Sequence, residues 1–97
     1  MFKLSNGNVL LKPSHRRQLM NGLKRALRLS DRLGDQIISI SMYRSGRLIE
    51  MKADVADRNQ GVVGFRARQH DWRDAARELA RMLTAYLHDQ MVHRALA

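Results

Sequence analysis

The hydropathy pattern of this 97-residue chain predicts an α+β fold. The expected form is a two-layer sandwich in the order β-α-β-β-β-α, a four-stranded sheet with two helices on one face. Three observations carry that prediction. Apolar residues recur at helical spacing over 14–33, switch to strict alternation over 38–68, and return to helical spacing from 71 onward. Turn-forming residues fall where the period changes. The alternating segments are apolar on one face only, so the sheet needs helices to cover it. The length suits one domain, 1–97, and no repeat, low-complexity tract or Pro/Gly linker divides it.

Each element has its own justification. Phe2 and Leu4 alternate with Lys3 and Ser5, a short strand ended by the turn cluster Ser5-Asn6-Gly7-Asn8. Lys12-Pro13-Ser14 opens a helix, with proline in the first turn and Ser14 as its cap. Leu19, Leu23 and Leu27 recur every four positions, Met20, Ala26 and Leu33 widen the stripe, and Gly34 stops the helix. Gly22 weakens its middle by about 1 kcal/mol relative to alanine. Ile38, Ile40 and Met42 then alternate with Ser39, Ser41 and Tyr43, and Arg44-Ser45-Gly46-Arg47 turns the chain. Ile49, Met51, Ala53 and Val55 form the next apolar face, Arg58-Asn59-Gln60-Gly61 the next turn, and Val63, Phe65 and Ala67 the last. These three strands make an antiparallel meander. A final helix starts near Asp71, with Asp71 and Asp74 at its positive end. Trp72, Ala75, Ala76, Leu79, Met82, Leu83, Tyr86 and Leu87 form its inner stripe.

The composition narrows the function. There are 18 lysines and arginines against 9 acids, a formal net charge of +9, which points to a polyanionic partner, nucleic acid before membrane. The surplus is local: residues 1–34 carry Lys3, Lys12, Arg16, Arg17, Lys24, Arg25, Arg28 and Arg32 against Asp31 alone. Cysteine is absent, which removes disulfides, thiolate catalysis and cysteine-based zinc sites. No apolar run reaches the length of a membrane span, and Met1 to Leu11 lacks a secretory pattern, so the expected location is cytoplasmic. The glycines form neither dinucleotide nor P-loop spacing. Among His15, His70, His88 and His93 the closest pair is five apart, which misses the helical face a metal pair needs, and all four read as solvated surface groups. Asp71 and Asp74 read as helix-start acids rather than an acid/base dyad. The expectation is a non-enzymatic protein without cofactor, metal or small-molecule substrate.

The basic helix faces are the candidate RNA-binding residues. Arg17, Lys24, Arg25, Arg28 and Arg32 share the outer face of the first helix with Asp31 as its only acid, and arginine's planar fork suits phosphate oxygens. Arg73, Arg77 and Arg81 form a second row at i, i+4, i+8. That row reads equally as a phosphate surface or as a face neutralised by Asp74 and Glu78. The outward sheet face offers Tyr43 but no aromatic pair, and Phe65 and Trp72 fall on core faces. Contacts to RNA backbone and shape are expected to dominate.

The order of elements, together with several residues, resembles the ribosome hibernation-promoting factors, also called ribosome-associated translation inhibitors. The resemblance covers nearly the whole chain. Asp31-Arg32-Leu33 and the strand Ile37–Met42 look like that family's helix end and second strand. Phe65-Arg66-Ala67-Arg68, Asp71-Trp72 and Leu79-Ala80-Arg81-Met82-Leu83 look like its last strand, an aromatic near the helix start and a basic final helix. The resemblance implies a short-form family member of the stress response, bound to small-subunit rRNA near the decoding and tRNA channel, that inactivates or stores idle ribosomes. It carries the rRNA-contacting role onto Lys24, Arg25, Arg28, Arg32, Arg77 and Arg81. Where final helices of that family end in a lysine-rich run, Ala85-Tyr86-Leu87-His88 and Met91-Val92-His93 are mostly apolar. A weak dimer or a protein contact through that end is therefore a further expectation.

Two other readings stand beside this one. A generic double-stranded RNA- or DNA-binding module would use the same helices without preferring ribosomes. A peripheral membrane or protein-interaction module would use the amphipathic first helix, and requires Leu19, Leu23 and Leu27 to be exposed.

Overall fold

The computed structural model describes residues 2–5, 7–57 and 61–96. The elements follow the expected order: β1 (Phe2–Ser5), α1 (Pro13–Leu33), β2 (Gln36–Ser45), β3 (Leu48–Asp57), β4 (Gly61–Gln69) and α2 (Trp72–Leu96). The sheet order is β1-β2-β3-β4. The last three strands are the antiparallel meander, with Ile38 opposite Val55 and Met51 opposite Ala67. β1 adds to it in parallel, Phe2 opposite Ile38 and Leu4 opposite Ile40. The intervening helix dictates this, because α1 carries the chain back along the sheet before β2 begins. The sheet is therefore mixed.

Beyond Ser5 the β1 edge is continued by a side chain. Asn8 Oδ1 accepts the Arg44 N–H at 2.6 Å and Asn8 Nδ2 donates to the Arg44 carbonyl at 3.1 Å, so one amide takes the place of a strand residue. Gly7 makes the approach possible. Its φ is +52°, and a Cβ there would lie 2.5 Å from the Met42 carbonyl oxygen.

Ile38, Ile40, Met42, Ile49, Met51, Ala53, Val55 and Ala67 supply the buried sheet face. Leu19, Leu23, Ala26, Trp72, Ala75, Leu79, Leu83 and Leu87 cover it from the helices. Burial of Leu19 and Leu23 excludes the reading in which the first helix inserts its apolar face elsewhere. Leu27 is half-buried rather than central. Steps of four residues drift by about 40° each against a 3.6-residue turn, so the inner line of α1 passes to Ala26 and Ser30. Val63, Phe65, Met82 and Tyr86 are likewise half-buried, at the flank where α2 crosses β4. There the Phe65 and Tyr86 rings pack 5.4 Å apart.

The ends of α1 correct one expectation and bear out another. Lys12, not Ser14, is the N-cap residue, and it makes no side-chain capping bond. Pro13 stands at the first helical position, where a missing N–H costs nothing, so the helix starts one residue earlier. At the other end Gly34 takes φ +82° and donates its N–H to Ser30 at 3.0 Å. Asp71 caps α2 as expected for an acid there, accepting the Arg73 N–H at 2.9 Å. The first hairpin is tighter than the four turn residues suggest: Ser45 pairs with Leu48 and only Gly46-Arg47 lie between. Asn6 of the first turn cluster and Arg58, Asn59 and Gln60 of the last turn lie outside the described residues.

Candidate nucleic-acid interface

α1 and α2 lie side by side and run the same way. Gln18, near the start of α1, accepts from Arg73 Nε at 3.4 Å, and Arg94, near the end of α2, donates to the Leu33 carbonyl at 3.1 Å. Their packed inner faces bury leucines against the sheet, and the outer faces leave a groove between them. Its first section, about 240 Å³, is lined by Gln18, Gly22, Trp72, Arg73 and Arg77 among others. The middle section, about 520 Å³, lies between Gly22 and Arg25 on one side and Arg81, Thr84, His88 and Asp89 on the other. The far section, about 460 Å³, is bounded by Arg25, Arg28, Arg32, His88 and Val92.

The groove thus brings together six of the eight basic residues singled out from sequence: Arg25, Arg28, Arg32, Arg73, Arg77 and Arg81. Arg17 and Lys24 are exposed on α1 but do not line it. They stand further round the helix, on the flank away from α2.

The two rows differ in how far their charge is already answered. Among the described residues no acidic group lies within ion-pair distance of Arg17, Lys24, Arg25, Arg28 or Arg32. On α2, Arg77 sits 3.8 Å from Asp74, and Arg73 sits 3.8 Å from Asp71 with its guanidinium 4.7 Å from the centre of the Trp72 ring. These are exposed pairs of small strength. Glu78 does not pair with Arg81 as the spacing allowed. It accepts from Gln69 Nε2 at 2.7 Å instead, so Arg81, beside Arg25, makes no ion pair among the described residues, although Glu78 and Asp89 border the same cavities. The ambiguous row is therefore split: Arg73 and Arg77 are paired with acids, and Arg81 has acids nearby but none within ion-pair distance among the described residues.

On the opposite face of the sheet the basic residues are largely paired with acids. Glu50, only 5% exposed although it points away from the helices, accepts from the Tyr43 hydroxyl and from Arg68 Nε at 3.2 Å, with Arg66 Nε 3.9 Å away. Lys52 lies 3.8 Å from Asp54. The row of arginines without an ion-pair partner is on the helical side.

Three residues of this region escaped sequence reasoning. His88 is exposed, as expected, but borders the groove beside Arg25, a place readable as the position seven residues after Arg81, two turns along the same face. His15 is half-buried with its ring 5.5 Å from Trp72. Arg94 fastens the end of α2 to the start of β2: it donates to both Asp35 oxygens at 2.9 and 3.1 Å and lies 3.6 Å from buried Asp57. The Asp35 hydrogen bond, assisted by the charges of Asp35 and Asp57, raises the Arg94 pKa. Only spatial folding joins these partners. Among the described residues no group of His, Asp or Glu side chains is arranged to hold a metal ion. No helix among them is long and apolar enough to cross a membrane.

Neither a family model nor a curated protein sequence matches the chain. Among solved structures it is similar to a ribosomal subunit interface protein from Coxiella burnetii, with a TM-score of 0.75 and 16% identity over 94% of this chain and 97% of that one. It is also similar to the N-terminal domain of Protein Y from Thermus thermophilus, with a TM-score of 0.69 and 19% identity over 88% and 91%. At these identities the likeness establishes a shared fold. The resemblance to hibernation-promoting factors read from the sequence holds at that level, over nearly the full length.

Proposed function

We propose that this chain is a non-enzymatic, cytoplasmic ribosome-binding protein that docks on small-subunit rRNA near the decoding and tRNA channel and keeps idle ribosomes inactive, as a hibernation factor of the stress response does. One observation carries the reading: Arg25, Arg28 and Arg32 of α1 and Arg81 of α2 converge on a single groove whose lining holds one acid, Asp89, and none of the four makes an ion pair among the described residues. The fold that presents this groove is shared with a ribosomal subunit interface protein. A rigid body of this kind grips phosphates without reading sequence, as rRNA recognition by shape requires.

Sucrose-gradient sedimentation tests it. The protein is expected to travel with small subunits and to leave them steeply as salt rises. Four or five phosphate contacts give a log–log slope of roughly −3 to −4, from about −0.7 to −0.9 per phosphate. A protein that stays at the top of the gradient, or that binds any duplex as well as it binds ribosomes, refutes the proposal and favours a generic duplex-binding module.

A further inference from the structure

The groove offers more than charge. Beside Arg25, Arg28 and Arg32 its far section has an apolar lining, half-buried Leu29 and Met91 with exposed Val92 and Ala95 next to them. Val92 is 43% exposed there. Phosphate oxygens gain nothing from such a lining, whereas the flat faces of nucleobases do. The furrow between two packed helices, whose axes lie roughly 8–10 Å apart, is too narrow to admit a duplex, which could only rest on its rims.

Gly22 points the same way. It stands mid-helix at the junction of the first and middle sections, and a Cβ there would meet nothing within 4 Å. The fold does not need a glycine at this place. Its effect is to leave the groove open where a side chain would project into it.

Resting on the rRNA-binding reading, we propose that the interhelical groove receives an unpaired RNA strand, with a base against the Leu29–Met91–Val92 lining and the flanking phosphates on Arg25, Arg28 and Arg32. A second copy of the chain is a poor occupant, because a two-fold contact through this patch would set those three arginines against themselves. An acidic protein segment with an apolar face is the competing occupant, and the experiment separates it.

Fluorescence anisotropy with the full chain at fixed low salt uses four probes: a labelled oligouridylate, an abasic oligomer with the same number of phosphates, a duplex RNA, and an acidic amphipathic peptide. The oligouridylate is expected to bind about tenfold tighter than the abasic strand, the effect of burying roughly 55 Å² of base face against aliphatic side chains. Val92→Lys gives opposite signs for the two mechanisms. On a phosphate-only surface an added cation tightens every RNA probe. If a base occupies the apolar lining, the substitution weakens oligouridylate about tenfold while the abasic strand binds as well or better. Gly22→Phe is expected to weaken the oligouridylate and spare the duplex, with Gly22→Ala close to wild type, and thermal melts report folding of each variant. Equal binding of abasic and uridylate strands, or tightening of both by Val92→Lys, overturns the inference while ribosome co-sedimentation stands. So does a peptide that binds through Val92 with no effect of that substitution on RNA. Failure of the wild type to bind either RNA or ribosomes overturns the underlying reading as well.

Discussion

Reversing Arg25 and Arg28 to glutamate is expected to weaken ribosome binding far more than reversing Arg73 and Arg77. The structure supplies the magnitude. Arg25 and Arg28 have no acid in pairing range among the described residues, so their whole charge is available to a phosphate. Removing one arginine–phosphate interaction costs on the order of 1–2 kcal/mol, in the range of charge-assisted hydrogen bonds. Two of them amount to a weakening of at least about 30-fold, since 1.4 kcal/mol is tenfold. Arg73 and Arg77 already face Asp71 and Asp74 at 3.8 Å, and Arg73 also lies over Trp72. Their reversal is expected to cost less than about tenfold. Co-sedimentation at several salt concentrations measures both effects, and the first variant should also flatten the salt slope by roughly 1.4–1.8, the share of two phosphates. All four side chains are exposed, so circular dichroism should show both variants folded. If the Arg73/Arg77 variant loses ribosomes while the Arg25/Arg28 variant keeps them, the reasoning from local charge balance is wrong.

Three further outcomes test the fold around the groove. Gly7→Ala should destabilise by about 1–3 kcal/mol in denaturant titration, because a left-handed backbone and a Cβ 2.5 Å from the Met42 carbonyl oxygen cannot both be accommodated. Gly22→Ala should do the reverse, stabilising by about 1 kcal/mol and raising the melting temperature by several degrees, since the space beside it is open. Tyr86→Phe should be neutral or stabilising, because the hydroxyl is buried with no hydrogen-bond partner among the described residues. Burial, reinforced by the charge of Asp57, raises the Tyr86 pKa above its ordinary value of 10.0. The folded state then holds this proton more tightly than the unfolded chain. Stability is complete below that value and falls as pH climbs past it, and Tyr86→Phe should lose less stability in that alkaline window.

The order of elements could be read from the sequence because each depends on local period. Leu19 and Leu23 mark a helix and Ile49, Met51, Ala53 and Val55 mark a strand whatever lies elsewhere in the chain. What could not be read depends on which distant residues meet. Asn8 looks like a turn residue, and nothing local says that its amide will stand in for a strand beside Arg44. Glu50 looks like an ordinary outward residue until Tyr43 and Arg68 arrive from neighbouring strands to enclose it. The basic residues show the same division. Their identities and exposed faces were evident, but two separate rows were all that spacing could give. Parallel packing of α1 on α2 makes them one surface, because the leucines that bury both inner faces leave Arg25 and Arg81 no option but to flank the same groove. Packing also divides the residues functionally. It draws Arg28 and Arg32 to the groove, leaves Arg17 and Lys24 on the outer flank, and puts Val92 beside the arginines where a phosphate surface alone has no use for it. Of the apolar C-terminal end of the last helix, Ala85, Met91 and Val92 border the basic groove, whereas Leu87 is in the core and Tyr86 packs on Phe65. The two helices thereby set the arginines of α1 beside apolar side chains of α2, the juxtaposition on which the proposed docking of an unpaired RNA strand rests.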